Sequence, residues 1–142
     1  MKAKDGFTLI EILVVVVILG ILGAIVIPQF RPAATEAKTS RLCSDLQVIR
    51  AQIGLFKIQH NDNLPGTTGV GFADAMTQKT DEDGALDAAG RYGPYVPKIP
   101  TNPFNDLDTI EVDGVAGGGT HAWQYSTTTG EFGADTDDHI DL

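Results

Sequence analysis

The sequence predicts an α+β fold: one long N-terminal helix, kinked near Pro28, packed by its C-terminal half on a small antiparallel sheet. Three observations lead there. An apolar run extends from Phe7 to Ile27 with a single acidic residue in it. Further on, Leu42, Leu46, Ile49, Ile53 and Phe56 recur at spacings of four, three, four and three, which is one stripe of a helix. Near the C-terminus, three short segments of alternating character are separated by glycine-rich turns. The organisation that follows has four parts: a leader at 1–6, an apolar helix at 7–30, an amphipathic continuation at 31–61, and an acidic globular part at 62–142.

The N-terminus, "MKAKDG", places Lys2 and Lys4 before the apolar run, a charge bias that holds such an end in the cytoplasm. The run from Phe7 to Ile27 is about 31 Å long as a helix, close to the hydrocarbon thickness of a bilayer. A secretory signal would close with a small-x-small cleavage site, whereas this core continues through "ILGAIVIPQF" into further helix. Glu11 is the odd residue in the run. A carboxylate at such a depth costs roughly 2.5–3.5 kcal/mol on insertion scales, so it asks for a partner.

Beyond Pro28, with Gly20 and Gly23 as earlier weak points, the segment "AATEAKTSRLCSDLQVIRAQIGLFKIQ" carries the apolar stripe. Its other side is expected to carry Lys38, Arg41, Arg50 and Lys57, as in a helix packed on a sheet along one face. The stripe lasts about two heptads, short of the three or four that define a coiled coil. Asn61, Asn63 and Pro65-Gly66 end the helix.

Residues 64–106 are rich in breakers, with one short helix candidate, "FADAMTQKT". The prolines of "YGPYVPKIPTNPF" exclude a central strand and predict an extended segment anchored by Tyr92, Tyr95, Ile99 and Phe104. "DTIEVDG", "AWQYSTT" and "TGEFGA" read as three antiparallel strands, the last two joined in a hairpin near Thr129-Gly130.

The net charge of -9 conceals an asymmetry. Residues 1–61 hold seven basic and four acidic groups, and residues 62–142 hold three basic and fifteen acidic ones. An acidic body repels phosphate backbones, so nucleic acid is not an expected partner. The single cysteine, Cys43, excludes an intrachain disulfide and reads as a packed helix residue. No nucleophile elbow, paired-cysteine zinc pattern or HExxH occurs, and His60, His121 and His139 stand apart. Gly117 to Gly119 lack the lysine and helix of a phosphate cradle and read as a loop. The tail "GADTDDHIDL" gathers Asp135, Asp137, Asp138 and Asp141, hard oxygen donors of the kind calcium prefers, against the plainer reading of a solvated acidic tail.

The stretch "KAKDGFTLIEILVVVVILGILGAIVIPQF" resembles the prepilin-type signal of type IV pilins and type II secretion pseudopilins: a basic leader ending in Gly6, then Phe7, Glu11 at the fifth mature position, and an apolar helix reaching Pro28. That resemblance implies cleavage between Gly6 and Phe7 by a prepilin peptidase and methylation of the new Phe7 amino group. It implies a single-pass protein of the bacterial inner membrane, its N-terminus cytoplasmic and its body periplasmic, which lies in lipid until an assembly platform packs it with identical and related subunits into a periplasmic or extracellular filament. Glu11 would then neutralise the Phe7 ammonium of its own or a neighbouring chain and set the stagger of docked helices. Major pseudopilins carry calcium near the C-terminus, and the acidic tail is similar in composition. A structural, non-enzymatic role is the expectation; the alternative is a membrane-anchored periplasmic binding module or enzyme that uses the signal only for targeting.

Overall fold

The structure, a computed structural model, describes residues 8–115, 117–136 and 139, without the side chains of residues 27–32. It divides into two compact units, Met1–Ala37 and Lys38–Leu142. A single helix, α1 (Leu9–Gln59), enters both. Its first part, Leu9–Val26, has a mean hydropathy of 3.1 and buries nothing within the chain, and it is long and apolar enough to cross a membrane. The helical run continues through Pro28, whose side chain, with any kink it imposes, lies outside the described residues.

The second unit is built on the stripe read from the sequence. Leu42, Leu46, Ile49, Ile53 and Phe56 are all buried, together with Phe72, Met76, Val96, Trp123, Tyr125 and Phe132. At its C-terminus α1 stops because Asn61 and Asp62 adopt left-handed backbone (φ 54° and 64°), and the Asp62 N–H returns to the Lys57 carbonyl at 3.0 Å. Short α2 (Phe72–Thr77) follows and buries Phe72, Ala75 and Met76.

The proline-rich segment lies over this core. The Tyr95 and Val96 N–H groups both donate to the Met76 carbonyl, and Ile99 and Val96 are buried. Tyr95 and Phe104 are partly buried anchors as expected, whereas Val96 is an anchor the sequence reading missed. Gly90 is required by close approach: a Cβ there would stand 2.4 Å from the Thr80 carbonyl oxygen. The Gly93-Pro94 peptide is cis.

Three strands close the body: β1 (Ile110–Val112), β2 (Trp123–Tyr125) and β3 (Phe132–Ala134), in that order. Each expected strand is present and β2–β3 is the expected antiparallel hairpin. The expectation of an antiparallel sheet is corrected, because β1 runs parallel to β2 and the sheet is mixed. The cause is the connection 113–122, which travels back along the sheet before β2 begins, so that Ala122 and Trp123 donate to the Thr109 carbonyl at the start of β1.

The polar flank of α1 also differs from the sequence reading. Arg50 donates from Nε to the Phe132 carbonyl at 2.8 Å, tying the helix to β3, and the Lys38 ammonium sits 5.8 Å from the Phe104 ring centre. Arg41 pairs with Asp45 at 3.6 Å. These cations edge the packed face; they do not occupy the side opposite to it.

Candidate assembly helix and acidic loop

Gly6 and Phe7, the expected processing pair, lie outside the described residues. Glu11 is described, and it occupies the first turn of α1. Its backbone N–H donates to the Thr8 hydroxyl at 3.3 Å, and its carboxylate accepts the Thr8 N–H at 3.5 Å. Thr8 and Glu11 thus form a capping box, each satisfying a backbone donor that the helix start leaves without a partner. The T-x-x-E spacing was visible in "TLIE", so this second use of Glu11 was legible in the sequence. The carboxylate also sits where the helix dipole favours negative charge. Around it Leu9, Ile10, Ile12, Leu13 and the following apolar residues are exposed. A surface so apolar on every side is stable only against lipid or other apolar helices.

Asp135 follows β3 and is 1% exposed. Its Oδ1 accepts the N–H groups of Gly117 and Gly118 at 2.9 and 3.0 Å, and Oδ2 accepts the His121 N–H at 3.0 Å. Two glycines of the run, a loop as expected, thus hold the chain's own carboxylate. The His121 ring stands 3.1 Å from Glu111 and 4.0 Å from Asp135, which closes the loop against β1.

As a calcium ligand Asp135 fits poorly, since its oxygens are already engaged by peptide N–H groups and it is balanced without a cation. Asp137, Asp138 and Asp141 lie outside the described residues. Among the described residues no three His, Cys, Asp or Glu side chains converge as a metal site.

Two further polar groups are buried in the body. His60, fully buried, stacks on Phe56 with ring centres 3.8 Å apart. Its Nδ1 lies 2.8 Å from the Phe56 carbonyl and its Nε2 2.9 Å from the Thr80 hydroxyl. A carbonyl only accepts, so Nδ1 carries a proton, and Nε2 is paired with the Thr80 hydroxyl. Tyr125 is 2% exposed and its hydroxyl has no partner among the described residues. Burial pushes its phenol well above the usual tyrosine range, and the nearby Asp113 charge adds to the shift.

Residues 1–27 match the family described as the prokaryotic N-terminal methylation motif. A type II secretion system core protein G from Pseudomonas aeruginosa is 44% identical over 59 residues, which is 42% of each chain. A fimbrial protein from Pseudomonas aeruginosa is 44% identical over 50 residues, 35% of this chain and 32% of the relative. In Vibrio cholerae, a type II secretion system core protein G is 30% identical over 83 residues, 58% of this chain and 56% of the relative. The chain thus spans about half the length of the curated relatives it matches, or less. No solved structure matches.

Proposed function

From a chain that bears the prepilin-type N-terminal methylation motif of type IV pilins and type II secretion pseudopilins ahead of an α+β body, we propose a structural role: a subunit of a type II secretion pseudopilus or a type IV pilus-like filament. Prepilin peptidase removes residues 1–6 and methylates Phe7, and the processed chain waits in the inner membrane with its body in the periplasm. An assembly platform then packs it helix against helix with identical and related copies. The observation that carries this reading is the first turn of α1. An apolar helix against which none of the described residues buries a surface holds one carboxylate, at Glu11, four residues after the position where cleavage would create an ammonium.

The capping box supplies a clean test, because glutamine satisfies that motif as glutamate does. Glu11→Gln is expected to insert and be cleaved like the parent and to keep the helix start, yet to assemble poorly, since the neutral side chain no longer pairs with the Phe7 ammonium. Glu11→Val loses both cap and charge. If Glu11→Gln builds filaments at the parent's level while Glu11→Val does not, the carboxylate is a cap and the charge-register role is wrong.

A further inference from the structure

The sheet has an open edge, and it belongs to β1. The Thr109 carbonyl accepts the Trp123 N–H at 3.1 Å and the Asp113 N–H donates to the Tyr125 carbonyl at 2.9 Å, so the bonds to β2 fall on the odd-numbered residues. Successive residues of a strand turn their peptide groups to opposite edges, which leaves the N–H and C=O groups of Ile110 and Val112 facing away from the sheet. No described residue bonds to them. The far edge differs, since the Phe132 carbonyl of β3 is tied to Arg50. Beside the open edge runs a groove of about 420 Å³, lined by Gly71, Phe72 and Ala73 at the start of α2 and by Thr109, Ile110 and Val112 along the strand. Glu111 does not line it, because its side chain stands on the other face of the sheet.

We propose that β1 is an acceptor edge for a strand from another protein, and that the segment it takes is extended, with apolar and basic side chains in alternation. A strand laid along β1 would bond to Ile110 and Val112 and extend the sheet. Its side chains alternate between the two faces, so every second one enters the groove beside Phe72 and Val112. Val112 is 44% exposed, and an aliphatic group there removes apolar surface from water. The side chains between emerge beside Glu111 on the opposite face, and charge fixes their sign. Asp106, Asp108, Glu111 and Asp113 fall within eight residues, and no Lys or Arg occurs after Lys98. Among the described residues, none of the four pairs with a Lys or Arg. Glu111 has the His121 ring at 3.1 Å, and Asp113 accepts the Thr127 N–H and hydroxyl, so the edge stays acidic even with His121 protonated. Edge-to-edge pairing with a second copy is disfavoured, because the same carboxylates would oppose these across the strands.

The inference does not depend on the filament reading and is tested without filaments. The full-length chain in a non-ionic detergent is titrated with a short peptide of alternating valine and lysine, and amide hydrogen exchange is read residue by residue. Two comparison peptides keep the charge: a block isomer of the same composition, and the alternating peptide with every backbone amide methylated, which can no longer donate. Val112→Pro removes one outward N–H of the protein and leaves the ladder to β2 whole. The expected result is slowed exchange at Ile110 and Val112 with the alternating peptide, and binding about tenfold weaker for both comparison peptides and for the proline variant. Equal binding of the methylated or block peptide means attraction by charge alone and overturns the acceptor edge, as does protection outside β1 or no binding at all. Protection of the two amides without peptide, rising with protein concentration, would make a second copy the occupant and overturn it too. Should Val112→Pro fail to fold, the peptide comparisons on the native chain decide alone. Each of these outcomes leaves the filament reading where it stood.

Discussion

Tyr125 carries a buried hydroxyl with no hydrogen-bond partner among the described residues, its ring centre 4.2 Å from that of Phe72. An unmade bond of this kind costs the group its hydration and gives nothing back, so Tyr125→Phe is expected to stabilise the body by about 1 kcal/mol. The same substitution should change the alkaline limb. Burial raises the folded-state pKa of the phenol above its ordinary value near 10, so its contribution is complete below about pH 10 and is lost as pH rises beyond that. Thermal melts from neutral to strongly alkaline pH should show a shallower decline for Tyr125→Phe than for the parent. Equal declines would mean that other groups carry the alkaline loss; Tyr95, also raised chiefly by burial though its hydroxyl donates to Gln59, is the next to examine. Glu11 teaches a related lesson at this scale. The sequence reading found its unusual depth and the charge pairing that depth demands, and passed over the local bond to Thr8, because the resemblance drew attention to position and away from the three-residue spacing.

Elements were legible to the degree that their pattern was periodic. The buried stripe of α1, α2 and all three strands were read at the right places, since each alternates or repeats at its own period. Strand direction was not readable. It is set by how the connection 113–122 returns to the sheet, and that path depends on Asp135, more than a dozen residues further along the chain. Removing this carboxylate strands three peptide N–H groups, so Asp135→Ala is expected to lose about 3 kcal/mol in denaturant unfolding, with Asp135→Asn losing less because one acceptor remains. A loss within a few tenths of a kcal/mol would show that the glycine connection holds without its anchor. Calcium at the tail is a separate proposal, resting on the composition of Asp137, Asp138 and Asp141. If it is right, adding calcium raises the melting temperature of the body and a chelator reverses the gain. Superimposable melts remove it. The far face of α1 was misjudged for a different reason: the basic residues were counted as a face, although at 100° per residue they fall on its two margins.

Across the whole molecule, hydrophobicity and charge are segregated along the chain: a bare apolar helix at one end, an acidic body at the other, and between them a helix apolar on both sides. Such a chain is hard to keep soluble alone and well suited to a setting where lipid, and then neighbouring copies, cover what it exposes. On the proposed filament reading, the first event in that setting is covalent. Removal of residues 1–6 discards Lys2, Lys4 and Asp5 and leaves an amino group four residues before Glu11, so the charge balance of the helix start depends on it. Intact mass of the protein recovered from cells reads this directly. The expected mass is that of a chain beginning at Phe7 with one added methyl group. Recovery of the encoded chain, or of one cut after Ala24, would leave Glu11 without the ammonium that its register role requires. The apolar segment would then be an ordinary anchor or a discarded signal, and the filament reading would lose the chemistry on which it stands.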